Sequence, residues 1–331
     1  MGTPVLICDD SSFARKQMAR ALPADWDIDI SFAEHGREAV AAIAAGKADI
    51  LFLDLNMPIM DGYEVLEAIR AGDLPTLVIV VSGDIQPEAH ARVMQLGALD
   101  FIKKPVDPAG LLELLDRYGI RTQSEATRDT PDFKVDLLDI YREIANVAMG
   151  RAGDRLARLL GVFITLPVPQ VNIIEGNDLR MAFQEVAASE TVSAVCQGFI
   201  GAGIAGEALL TFNDSSLSDI GELMHYEGEI DEAVELELIM DISSLLIGAC
   251  LNGIAEQLDI SFSQGHPLVL GRHVAISDLL RRNAARWQGI LAIEFGYRIA
   301  NRNINCDLML LFTEDSMQAL GERASYIEST T

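Results

Sequence analysis

Apolar residues fall in short runs through the first third of the chain, and several runs end in a charged or hydroxyl residue. Val5 to Cys8 leads into Asp9-Asp10, Ile50 to Leu53 into Asp54, Leu77 to Val81 into Ser82, and Phe101-Ile102 into Lys103-Lys104-Pro105. Unbroken apolar runs of this length read as strands buried on both faces of a parallel sheet. Ile28 to Phe32 completes a set of five. Between the runs lie helix-period segments: Phe13 to Leu22 with Ser11 or Ser12 as cap, Arg37 to Ala45, Tyr63 to Ile69, Pro87 to Leu96, and one beginning at Pro108. Strand and helix alternate, which predicts an α/β doubly wound five-stranded parallel sheet over residues 1–118.

Residues 119–132 lose all periodicity and are polar, which predicts a linker. Beyond it the pattern changes to long helices and paired strands. An internal repeat is visible: Glu143, Asn146 and Gly150 correspond to Asp241, Ser244 and Gly248, each pair separated by 98 positions. Each half reads as a long helix, a Pro-containing segment, a second helix and two strands. Strand examples are Val192 to Phe199 with Glu207 to Phe212, and Leu291 to Ile299 with Asp307 to Phe312. This predicts an α+β domain over 133–331 with an internal pseudo-twofold repeat.

A length of 331 residues fits two domains, and a hydrophobic content of 50% supplies both cores. The formal net charge of -25 argues against binding nucleic acid or an anionic membrane. The four cysteines stand far apart, as expected of reduced thiols in the cytoplasm. No basic leader is visible, and no apolar run is expected to reach membrane-spanning length.

The carboxyl ends of parallel strands are where open α/β sheets place their chemistry. There Asp9, Asp10 and Asp54 are expected to converge, with Ser82 and Lys104 at the rim. Like charges about 4 Å apart repel by about 4 kcal/mol at an effective dielectric near 20. One lysine does not balance three carboxylates, so a hard divalent cation such as Mg²⁺ is expected. Beside it, Asp54 can act as a nucleophile toward a phosphoryl group, with Lys104 offsetting charge on the phosphoryl oxygens.

The acid pair, the lone Asp54, Ser82 and the Lys104-Pro105 step resemble the CheY-like receiver domain of two-component response regulators. The resemblance implies that Asp54 is the phosphoacceptor and that Asp10, Asp54 and the Asn56 carbonyl hold Mg²⁺, with Asp9 assisting. It implies that Ser82 and Lys104 bind the phosphoryl group and that Phe101 is the switch aromatic. A histidine kinase would be the phosphodonor.

In the second region Asp139, Glu143, Asn146 and Gly150 share one helix face. For either repeat alone, an ordinary solvated face explains such a stripe. The spacing acid-x3-Glu-x2-Asn-x3-Gly resembles the CheC/CheX/FliY phosphatase family. By that resemblance Asn146 orients the water that attacks an aspartyl phosphate, and Glu143 pairs with the receiver's lysine. The carboxamide has an acceptor for water and donors for a phosphoryl oxygen. Asp241 and Ser244 mark a second site with shorter side chains. The implied substrate is a phosphorylated CheY-type receiver, with a CheD-like protein as a further partner. The alternatives are a non-catalytic switch or adaptor and a phosphate sink. Because the last receiver helix should end opposite Asp54, the sequence predicts action on receivers in trans.

Overall fold

The computed structural model describes residues 2–120, 135–174, 191–226, 228, 230–275, 290–299, 302 and 304–330. The chain divides into two compact units, Met1–Glu143 with Glu328–Thr331, and Ile144–Ile327. The division falls inside a helix, between Glu143 and Ile144. Most of the expected linker, 121–132, lies outside the described residues.

The first unit alternates β1 (Thr3–Cys8), α1 (Ser12–Ala21), β2 (Ile28–Ala33), α2 (Gly36–Ala44), β3 (Ile50–Leu53), α3 (Gly62–Gly72), β4 (Leu77–Ser82), α4 (Pro87–Leu96), β5 (Asp100–Lys103) and α5 (Pro108–Arg117). The sheet has the order β2-β1-β3-β4-β5, and every neighbouring pair is parallel. This is the doubly wound fold expected from the alternation. Two apolar layers fill the sheet's faces, one around Leu6, Leu51 and Val80, the other around Val5, Phe52 and Ile79.

Local chemistry fixes the element ends that matter for function. The Ser11 side chain accepts a hydrogen bond from the Ala14 N–H and so starts α1 directly after the acid pair. Asp61 and Glu64 form a reciprocal capping box at the start of α3. A Cβ on Gly62 would stand 2.3 Å from the Asp54 carbonyl oxygen, so only glycine lets α3 begin this close to the end of β3.

The first seven residues of α6 (Leu137–Leu160) belong to the first unit, and the rest to the second. The second unit continues with β6 (Ile164–Thr165), β7 (Gln170–Ile174), β8 (Thr191–Gly201), β9 (Ile204–Asn213), α7 (Asp214–Leu223), α8 (Glu232–Leu258), β10 (Ser263–Gln264), β11 (Leu268–Ala275), β12 (Ile290–Ile299), β13 (Ile304–Phe312) and α9 (Ser316–Thr330). Its antiparallel sheet runs β10-β8-β9-β13-β12-β6, with β11 also on β8 and β7 also on β12. The strands expected in both halves are present. The helices expected before β8 and β12 fall on 175–190 and 276–289, outside the described residues. Sequence reading missed α7 and α9.

Within this unit α6 and α8 approach closely at small residues. A Cβ on Gly253 would lie 2.9 Å from the Ala148 Cα, and Gln257 Nε2 donates to the Ile144 carbonyl at 3.0 Å. Contrary to expectation, α8 is long and apolar enough to cross a membrane, with a hydropathy of 1.8, but 67% of that window is buried inside the protein. Its apolar circumference is that of a helix packed within a core.

Candidate functional site

Three strand ends of the first unit meet as the sequence predicts. Asp9, Asp10 and Asp54 each offer a carboxylate oxygen within 4.8 Å of the others. Lys104 follows β5 and turns inward rather than lining a rim. Its Nζ lies 2.6 Å from Asp9 Oδ2 and 3.2 Å from Asp54 Oδ1. The Asp54 contact is an ion pair whose angle is not that of a hydrogen bond, so this buried oxygen has no hydrogen-bond donor. The other Asp54 oxygen accepts from the Asn56 N–H at 3.1 Å, and Asp9 Oδ1 accepts from the Ser11 N–H at 3.0 Å.

Ser82 is fully buried, and its Oγ accepts from the Asp84 N–H at 3.1 Å. Asp84 Oδ1 in turn accepts from both the backbone N–H and the side chain of buried Gln86, which fixes the loop after β4. Phe101 is half-buried and meets the His90 ring edge-on at 5.5 Å between centroids.

Sequence reasoning missed Arg15. Its guanidinium is buried and donates to the carbonyls of Asp9 at 2.7 Å and Asp10 at 3.3 Å, and to Glu34 at 2.9 Å. It holds the backbone of the acid pair in place. The only signal was a basic residue on an otherwise inward stretch of α1, which spacing alone does not distinguish from a surface charge.

The start of α6 also reaches this site. Glu143 Oε1 lies 3.2 Å from Lys104 Nζ, and its Oε2 lies at 3.4 Å. One turn earlier, Asp139 Oδ2 accepts from the Ser12 hydroxyl at 2.6 Å and from the Phe13 N–H at 2.8 Å. It thus supplements Ser11 at the N-terminus of α1, where a carboxylate is favoured. The start of α6 therefore lies at the carboxyl ends of the strands, on the Asp54 side of the sheet. Residues 119–136, fully extended, span about 60 Å, ample to return a helix start to the carboxyl ends of the strands.

The site carries more negative than positive charge, and the carboxyl groups respond. Burial, opposed by Lys104, pushes Asp9 up to about 6. Burial, with Asp9 and Asp54 nearby, pushes Asp10 up to about 7. Burial also lifts Glu143 to about 8 against the pull of Lys104. Burial works against the charge on Lys104, but Asp54, Asp9 and Glu143 outweigh it and hold its pKa well above the ordinary value. The donor set, all hard oxygen, and the buried Asp54 oxygen lacking a donor both suit a divalent cation such as Mg²⁺. When bound, such an ion supplies charge neutralisation for phosphoryl transfer.

On α6, Asp139, Glu143 and Asn146 are all buried, so the solvated-face reading fails for the first repeat. On α8, Asp241 and Ser244 are exposed. The two repeats therefore differ in surroundings as well as in residue type.

Residues 5–116 match the family described as response regulator receiver domain. This part of the chain is a response regulator receiver domain. Among curated relatives, the protein-glutamate methylesterase/protein-glutamine glutaminase of Geobacillus kaustophilus is 40% identical over 122 residues, 36% of this chain and 34% of that protein. The Moorella thermoacetica protein of the same name is 40% identical over 104 residues, 30% of this chain and 24% of its own length. The chain thus spans about a third or less of the length of these relatives. The response regulator domain of Thermotoga maritima CheB is 31% identical, with a TM-score of 0.32, over 35% of this chain and 96% of its own. Thermotoga maritima FliY covers 60% of this chain and all of its own at 18% identity and a TM-score of 0.43, too distant to carry function.

Proposed function

We propose that the chain is a chemotaxis-type signalling protein of the cytoplasm in which a receiver, residues 1–118, is joined through 119–132 to a CheC-like aspartyl-phosphate phosphatase domain, 133–331. Asp54 takes a phosphoryl group from a histidine kinase. Asp9, Asp10 and Asp54, with the Asn56 carbonyl, hold Mg²⁺, while Ser82 and Lys104 bind the phosphoryl oxygens and Phe101 responds to them. The phosphatase domain hydrolyses the aspartyl phosphate of a CheY-type receiver. Asn146 orients the attacking water and Glu143 engages the receiver lysine.

The observation that supports this reading best is the 3.2 Å contact between Glu143 and Lys104. It pairs the acid of a phosphatase-like helix with the lysine of a receiver. Lys104 belongs to the same chain, so it also supports the protein's own receiver as a target beside receivers in trans. The pairing of β10 and β11 with β8, and of β6 and β7 with β12, exchanges strands between the two sequence halves and supports the repeat reading. A CheD-like partner has no support in the geometry.

A non-catalytic adaptor is the second reading. It is favoured by the exposed Asp241/Ser244 face, which lacks a carboxamide. The deciding experiment is the decay of a phosphorylated CheY-type protein with and without this chain. Asn146-dependent acceleration supports the phosphatase. An unchanged decay leaves the adaptor or the phosphate sink.

A further inference from the structure

Glu143 lines, together with Asp9, Asp54, Lys104 and apolar side chains such as Ile7 and Phe52, a cavity of about 20 Å³. That is room for roughly one water molecule. Glu143 is buried, 5% exposed, with its carboxylate 3.2 Å from Lys104 Nζ. It occupies the cation that a phosphoryl group would need.

Glu143 is not held by Lys104 alone. Asp139 binds the Ser12 hydroxyl and the Phe13 N–H, so two side chains one turn apart grip the same end of the receiver. Charge-assisted hydrogen bonds of this kind are the strong ones. The Arg142 guanidinium, 3.3 Å from Asp139 Oδ1, orients the first of them further. The entire arrangement lies within the first compact unit.

We infer that residues 136–143 are a built-in ligand of the receiver's phosphorylation site, seated by Asp139 and plugged by Glu143, that restrains phosphorylation of Asp54. It rests on Asp54 as phosphoacceptor but not on hydrolysis by Asn146. Lys104 is a single cation shared among Asp9, Asp54 and Glu143, so a phosphoryl group and Glu143 compete for it. In the competing step the Asp54 carboxylate forms a new O–P bond while the donor's own bond to phosphorus breaks, P–N with imidazole leaving from a phosphohistidine or P–O with acetate leaving from acetyl phosphate. The three equatorial phosphoryl oxygens then need Lys104. Competition is reciprocal, so phosphorylation releases Glu143 and Asp139 and frees them to engage a receiver in trans.

The test is the initial rate of Asp54 labelling by acetyl phosphate at saturating Mg²⁺ in the full chain. Asp139→Ala, Glu143→Gln and Ser12→Ala are each compared with wild type. Ser12→Ala removes one donor from the receiver side and leaves the helix untouched. A rise of roughly tenfold is expected for Asp139→Ala and Glu143→Gln, the factor carried by one charge-assisted hydrogen bond, and a smaller rise for Ser12→Ala. Hydrogen exchange at the Phe13 amide gives a second readout. It should quicken when acetyl phosphate and Mg²⁺ are added to wild type, and should already be fast in Asp139→Ala. Initial rates precede hydrolysis, so an Asn146→Ala background gives the same answer whether or not the chain is a phosphatase. Rates unchanged or lowered in Asp139→Ala and Glu143→Gln, or Phe13 exchange unaffected by phosphorylation, overturn the inference.

Discussion

Glu143 sits 3.2 Å from Lys104, although 39 residues separate them in sequence. One buried cation thereby joins the acid cluster at the receiver's strand ends to the first acid-rich turns of α6. It also leaves the site with more carboxylates than cations, and the behaviour expected of the protein follows from that imbalance.

Asp54 should be the sole acid-labile phosphorylation site. Asp54→Asn should abolish labelling by a small phosphodonor, and EDTA should do the same to wild type, because the carboxylates need a divalent counter-charge. Acid-labile phosphate on the intact protein is the measurement. Undiminished labelling in either case would remove Asp54 or the metal from the mechanism.

Mg²⁺ affinity should rise with pH. Protons compete with the cation for Asp9 and Asp10, whose pKa values stand at about 6 and about 7. Calorimetric titration at pH 5.5 and 8 should therefore show tighter binding at the higher pH with proton release on binding. Asp10→Asn should flatten the dependence.

Without metal, stability should fall as pH rises from near 4 toward 8. The folded state holds protons on Asp9, Asp10 and Glu143 above the ordinary carboxylate range, so it binds more protons than the unfolded chain across that window. Stability then decreases with pH until the folded values are passed. Denaturant midpoints in EDTA are the check, and added Mg²⁺ should restore most of the loss at the alkaline end.

If the phosphatase reading holds, Asn146→Ala should lower kcat by roughly 10²-fold or more. Glu143→Ala should raise KM at least as much as it lowers kcat, since it removes binding to the receiver lysine. Ser244→Ala should have the smaller effect. Full activity in Asn146→Ala with loss in Ser244→Ala would assign the chemistry to the other repeat.

Gly62→Ala should destabilise the receiver by about 1–3 kcal/mol. Its Cβ would press on the Asp54 carbonyl at 2.3 Å. The accompanying loss of labelling rate should exceed that of an equally destabilising change far from β3.

The apolar runs determined the receiver's sheet without help from tertiary contacts. A strand buried on both faces leaves an unbroken hydrophobic signature, and Asp9, Asp54, Ser82 and Lys104 stand where such signatures stop. Leu77–Ser82 and Pro87–Leu96 could be read to the residue because turn residues and a helix-starting proline bound them. Arg15 escaped notice because two of its partners are backbone carbonyls, which carry no sequence signal, and the third, Glu34, lies 19 positions away. The spacing of Asp139, Glu143 and Asn146 placed them on one helix face, but whether that face met water or protein depended on residues more than 100 positions away in the case of Asp139. Only the folded chain decided that Asp139 binds the start of α1 and Glu143 binds Lys104, while the matching Asp241 and Ser244 remain exposed. Local pattern records periodicity and burial. It does not record which buried charge will be shared with which, because that is set by distances closed through space.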